Sequence, residues 1–204
     1  MAYAFGGSNP SPCTITMIIM TTRFEKTKLL IAEQISKSLT REDPSHAANT
    51  MQWVLNLRPD ADEIILLAGF GHDIERSLPD RYRSSMFASY DDYKHAHAAR
   101  AGKLTAKIAQ ECGYSKEEVT RLIHVISEGE FQSNEPDVQL LCDADSISFF
   151  DNNLRYYLAI KGPELAKKKM MFAYERASDR AKQNIRQIMI QKPDLDLLRL
   201  GTKN

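Results

Sequence analysis

Apolar residues recur at helical spacing along almost the whole chain, and polar, glycine- or proline-marked connections separate the runs. No alternating strand pair and no Asn-Gly hairpin signal interrupts them, so the pattern predicts an all-α protein. A first helix is expected from about Arg23 to Leu39, with Leu29, Leu30, Ala32 and Ile35 partly lining one side. Asp43-Pro44 reads as an N-cap followed by proline at the first helical position. It opens a second helix carrying His46, Met51, Trp53, Val54 and Leu57, which Arg58-Pro59 stops. Asp60 is expected to cap a third helix that holds Ile64, Ile65, Leu67 and Ala68 and ends near His72-Asp73.

Residues Ser77 to Asp92 then read as a long connection rich in Ser, Asp, Arg and Tyr, the kind of segment that often serves as a lid or binding loop. A fourth helix is expected from Tyr93 to Cys112. Ser115 with Glu118 forms a capping box for a fifth, whose Val119, Leu122, Ile123 and Ile126 share one face. A sixth runs from Asp137 to about Leu158, Gly162-Pro163 breaks the chain, and further helix follows through Met170–Ile190. With no internal repeat and no second core, residues 22–192 are read as one domain with a C-terminal helical extension. Residues 1–21 are read as an irregular tail and 193–204 as a C-terminal tail.

Composition narrows the class. The 204 residues are 43% hydrophobic and 26% charged, a globular balance that needs no disulfide staples. Cys13, Cys112 and Cys142 are scattered and form no CxxC pair, which argues against a zinc knuckle and for a reducing cytoplasm. Lys plus Arg equals Asp plus Glu, 27 against 27, so the basic excess of a nucleic-acid-binding protein is absent. The apolar Cys13–Met20 stretch is far short of the ~20 residues that span a bilayer. The Lys167–Lys169 run reads as a solvated helix face.

Four residues of metal-ligand type stand where hydrophobes are expected. On the sixth helix Val138, Leu141, Cys142, Asp145 and Phe149 form one stripe, which places Asp145 on the buried face and Asp143 off it. A buried carboxylate without a partner costs several kcal/mol, so Asp145 calls for a cation or donors nearby. His72 follows Ile64, Ile65 and Ala68, and His46 shares a face with Thr50, Trp53 and Leu57. His97 leads Ala101, Leu104 and Ile108, and Asp73 adjoins His72 at a helix end. A lone histidine on an apolar face is more often a hydrogen-bonded core residue than a ligand. A His-Asp doublet closing an apolar helix, with a buried Asp downstream, reverses those odds.

The series His46, Gly71-His72-Asp73-Ile74-Glu75-Arg76 and Leu141-Cys142-Asp143-Ala144-Asp145-Ser146 resembles the H…HD…D signature of the HD superfamily over about Leu39 to Phe150. The resemblance implies an all-helical HD-domain-like bundle and a metal-dependent phosphohydrolase, with His46, His72, Asp73 and Asp145 as metal ligands. His97 suits the first of two further histidines found in some members. The position of the second reads Glu128-Gly129-Glu130, which argues against a second metal and against a di-iron oxygenase.

Two imidazoles and two carboxylates suit Mn²⁺, Fe²⁺, Co²⁺, Ni²⁺, Zn²⁺ or Mg²⁺ more than Ca²⁺. Arg76, Arg100 and Lys94 are the expected phosphate contacts, and Asp73, Glu75 and Glu128 the expected catalytic carboxylates, the last two orienting water. The substrate is expected to be a nucleotide or related small phosphate. Expected partners are that substrate and, at most, a second copy in a homodimer, with no nucleic acid and no membrane. The rival from another class is a catalytically silent HD-fold nucleotide-binding or regulatory module that uses the Ser77–Asp92 loop.

Overall fold

Five of the eight α-helices among the described residues begin where a short polar side chain takes up a free backbone N–H. In a computed structural model that describes residues 22–201, all regular structure is helical. Thr22 accepts from Glu25 N and starts α1 (Arg23–Ile35). Proline at the first turn starts α2 (Asp43–Leu57), and Asp62 accepts from Ile64 N and Ile65 N to start α3 (Glu63–Gly71). Ser89 caps α4 (Tyr90–Glu111), and Ser115 with Glu118 makes the full capping box of α5 (Lys116–Glu128). Helices α6 (Pro136–Ser148), α7 (Leu154–Glu175) and α8 (Asp179–Gln191) follow, the last capped by Ser178.

Local side-chain hydrogen bonds moved several boundaries. Helix α1 stops at Ile35 rather than Leu39, because Ser36 Oγ donates to the Glu33 carbonyl while Ser38 Oγ turns to Thr40 N and Asp43. Such hydroxyls offer the backbone an alternative to continuing the helix. Asp62, not Asp60, caps α3. Ser89 starts α4 at Tyr90 rather than Tyr93, so the long connection shrinks to residues 78–89 with one short 3₁₀ turn, Ser84–Met86. The sixth helix passes through a π turn, Phe149–Asn153, before α7, and α7 bends where Gly162 takes φ 78° ahead of Pro163. The expected N-terminal tail, with its Cys13–Met20 stretch, lies outside the described residues. The expected C-terminal tail is no tail up to residue 201: Leu195 is buried, and Leu197, Leu198 and Leu200 pack against the core.

The core is continuous from Ile31 of α1 through Ile65 and Leu67, Leu122 and Ile126, Leu141 and Ile147, to Met170 and Ile185. Helices α4 and α5 make the most extensive contact, and α2 packs on both α3 and α6. That arrangement brings His46 of α2, the end of α3 and the middle of α6 to one place. Cys142 is buried and Cys112 half-buried, both unpaired. No helix among the described residues is long and apolar enough to cross a membrane.

Gly71 sets how closely α3 approaches α4. A Cβ there would lie 2.6 Å from both Cγ2 and Oγ1 of Thr105, whose hydroxyl donates to the Gly71 carbonyl at 3.0 Å. Thr105 is β-branched and buried, so it cannot swing clear. Gly71→Ala is expected to destabilise the protein by about 1–3 kcal/mol, as overpacked core sites do. Urea unfolding measures it, and an unchanged midpoint would show that the two helices separate freely.

Candidate metal centre

Three helices deliver the His–Asp cluster. His46 faces inward one turn into α2, His72 and Asp73 follow the last residue of α3, and Asp145 lies on the inner face of α6. All four are buried, although 99 positions separate His46 from Asp145. His46 Nε2 is 2.9 Å from Asp145 Oδ1 and 3.6 Å from Asp73 Oδ2. His72 Nε2 is 3.3 Å from Asp145 Oδ1 and 3.6 Å from Asp73 Oδ2.

Hydrogen bonds behind the rings decide which nitrogen faces the cluster. His72 Nδ1 lies 2.9 Å from the Gly69 carbonyl, which can only accept, so Nδ1 carries the proton. His46 Nδ1 lies 2.8 Å from Ser148 Oγ, whose own proton goes to the His46 carbonyl at 3.4 Å. The hydroxyl therefore accepts from Nδ1–H. Both Nε2 atoms then point at carboxylate oxygens. His72 Nε2 is buried and not aligned for a hydrogen bond with any of them. Lone pairs facing carboxylates need a proton or a cation between them. Burial opposes charging His72, but Asp73, Asp145 and the Gly69 carbonyl outweigh it and hold its pKa up at about 9. His46, His72 and Asp145 offer atoms within 4.8 Å of one another and could hold a metal ion. Fixing each ring by its outer N–H is the support that ligand histidines usually have.

Arginines grip the far sides of both carboxylates. Arg76 Nη1 lies 2.6 Å from Asp73 Oδ2 and 3.0 Å from Asp43 Oδ1. Arg176 pairs with Asp145 Oδ2, donates to the Glu130 carbonyl at 2.8 Å and to Glu130 Oε2 at 3.1 Å, and reaches Ser146 Oγ at 3.0 Å. Burial raises the pKa of Asp145, but Arg176 and the two histidines pull it well below the ordinary carboxylate range. Asp73 is likewise held low against burial by Arg76, His72 and His97.

Several expected roles change. His97 is fully buried between two carboxylates, with Nε2 2.9 Å from Asp73 Oδ1 and Nδ1 2.8 Å from Glu75 Oε2. With both nitrogens engaged it holds Asp73 rather than standing free as a ligand. Asp73, His97 and Glu130 do form a second group that could hold an ion. There, Lys94 and Arg176 already answer the charge of Glu130. Glu75 is not placed to orient water. It sits fully buried behind His97 and accepts from Tyr82 N at 2.6 Å. Glu128 is exposed at the end of α5, and the buried carboxylate is Glu130, two residues on. Arg100 is tied to Asp80 Oδ2 at 2.7 Å and stacks over Tyr82, so it is not free for phosphate. Asp143 points away from the cluster and accepts from Ser178 N at 2.8 Å and Ser178 Oγ at 2.5 Å, pinning α8. His124 is a surface residue 2.7 Å from Glu135.

A cavity of about 300 Å³ opens beside the cluster, with His46, Asp73 and Asp145 in its wall. Arg76 and Lys94 line it, together with Tyr82, Tyr93, Phe149, Tyr156 and Tyr157. Lys169, expected on a solvated face, lines it too. A family model described as Domain of unknown function (DUF4202) matches residues 29–198. The chain belongs to that family. The matched span takes in the cluster, the cavity and both arginines that hold the aspartates. No curated protein and no solved structure matches the chain.

Two of the residues that build this site were readable in helical phase. Ala166, Met170 and Ala173 mark the buried side of α7, and Lys169 and Arg176 follow Ala166 and Ala173 by three positions each, which puts them on its flank. The run of three lysines masked the first. Glu130 had no such signal, because it follows the glycine that ends α5.

Proposed function

We propose that the protein is a metal-dependent phosphohydrolase of the HD type, acting on a nucleotide or a related small phosphate ester. The observation that carries this reading is the convergence of two Nε2 lone pairs on two buried carboxylates, one of the nitrogens having no hydrogen bond. His46, His72, Asp73 and Asp145 would hold a divalent ion, with Mn²⁺, Fe²⁺, Co²⁺, Ni²⁺, Zn²⁺ and Mg²⁺ as the ions this donor set suits. Bound there, the ion would polarise a phosphoryl oxygen and lower the pKa of a bound water.

The chain's own residues support the rest. His97 and Arg76 fix Asp73 from two sides, and Arg176 fixes Asp145. Both protein contacts of Arg76 use Nη1, which leaves Nε and Nη2 for phosphate oxygens. Lys94 keeps donors beyond its pair with Glu130. The tyrosines and Phe149 give the organic part of the ester an aromatic wall and exclude bulk water.

One observation favours the silent-module alternative: Arg76 and Arg176 can balance Asp73 and Asp145 with no ion at all. Protein loaded with Mn²⁺, Co²⁺ or Ni²⁺ is expected to retain the ion and to hydrolyse members of a phosphate-ester and nucleotide panel. Chelation and Asp73→Ala should each abolish turnover. Turnover indifferent to both would overturn the reading, and metal-dependent nucleotide binding without turnover would favour the module.

A further inference from the structure

We propose that Lys169 is the residue that binds the substrate's anionic group from the α7 wall of the cavity, and so sets which phosphates the site accepts. This rests on the phosphohydrolase reading for its substrate but not for its measurement. Lys169 belongs to the C-terminal extension, beyond the segment that resembles the HD signature, and the described structure places it in the cavity that contains His46, Asp73 and Asp145.

Charge pairing separates Lys169 from the three cations that hold the cluster's carboxylates. Lys94 is paired with Glu130, Arg76 with Asp73 and Asp43, and Arg176 with Asp145 and Glu130. Among the described residues, Lys169 has no hydrogen bond and no ion pair. Its Nζ rests 5.1 Å from the Phe172 ring centre and 5.6 Å from that of Phe149. Aromatic faces attract an ammonium but do not neutralise it. Lys161 and Arg81 also line the cavity without a carboxylate, but Lys161 is exposed and needs none, and of the three only Lys169 has its charge held against two aromatic rings.

A half-buried ammonium beside Lys94 and Arg176 lacks a counter-ion, and its pKa records that lack. Burial first, then those two cations, pull it down to about 7 despite Asp145 and Glu130. An anion in the cavity supplies the missing charge. The aromatic shelf fixes the direction of the lysine stem, so little rotamer freedom is left to lose on binding.

The test uses inorganic phosphate as the probe, titrated calorimetrically into metal-loaded full-length protein at fixed ionic strength. Lys169→Gln is expected to weaken phosphate binding about tenfold or more, the loss typical of a hydrogen bond to a charged group. Lys169→Arg should stay within a few-fold of wild type, and Lys168→Gln, one residue away on the exposed face, should change nothing. Bound metal should be the same in all four proteins, which separates anion binding from metal retention. Wild-type affinity in Lys169→Gln, an equal loss in Lys168→Gln, or no phosphate binding by wild type would each overturn the proposal. If phosphate binds through Lys169 but no ester is hydrolysed, the phosphohydrolase reading fails and this assignment stands. If turnover depends on metal and Lys169→Gln leaves KM untouched, this assignment fails alone.

Discussion

Replacing Arg176 by Met is expected to destabilise the metal-free protein by about 3–5 kcal/mol, the usual cost of breaking a buried charge pair from one side. The side chain is 4% exposed and answers two carboxylates on different segments, Asp145 on α6 and Glu130 after α5. Methionine fills much of the volume but leaves Asp145 buried beside two imidazoles with no fixed positive charge on Oδ2. Lys94 still faces Glu130, so the loss falls mainly on Asp145. A divalent ion at the cluster would answer that same carboxylate. Added Mn²⁺ should therefore recover part of the lost Tm in Arg176→Met and recover more than it adds to wild type. A loss below about 1 kcal/mol would mean that water relaxes into the gap and that the pair is worth no more than an exposed one.

The same network has an acid limit. Burial pushes Glu130 up, but Lys94 and Arg176 outweigh it and hold its pKa at about 2 against an ordinary 4.5. A carboxylate held low contributes stability that is complete above about pH 4.5 and drains as pH falls toward 2. In Arg176→Met the drain still starts near pH 4.5, but it is smaller and ends at a higher pH, and the less stable variant should unfold at higher pH than wild type in acid titration followed by circular dichroism.

The second large effect separates the two aspartates of α6. Asp145→Ala should reduce bound metal to background, because it removes the oxygen that both Nε2 atoms approach, at 2.9 and 3.3 Å. Asp143→Ala should retain the ion. Its cost is the pair of hydrogen bonds to Ser178 that anchor the start of α8, about 1–3 kcal/mol of stability at ordinary values for two such bonds. Elemental analysis of the two purified variants decides it. Equal metal loss in both would place Asp143 in the support of the ligands, a role its contacts with Gln139 and Ser178 do not indicate.

The sequence by itself determined the helical class and the starts of α1, α2, α5 and α6. Caps and apolar spacing are local, and Ser115 with Glu118 acts within one turn whatever the rest of the chain does. Helical phase also determined that Asp145, not Asp143, turns toward His46 and His72, because a fixed angle per residue carries an inward face along α6. Its errors at the end of α1 and at the caps of α3 and α4 came from competing Ser and Asp side chains a few residues apart.

Only the tertiary structure decided which charges answer one another. Glu75 and Glu128 are equally acidic in sequence, yet one is fully buried behind His97 and the other lies in water. Arg100 and Arg76 both lie near the doublet in sequence, but Asp80 claims the first while the second reaches Asp73. Arg176 and Lys169 enter the site from a helix that the chain reaches only after the π turn and the Gly162 bend. Pairing of charges depends on distance in space and on the loss of water between them, and neither is written in the spacing of residues along a helix.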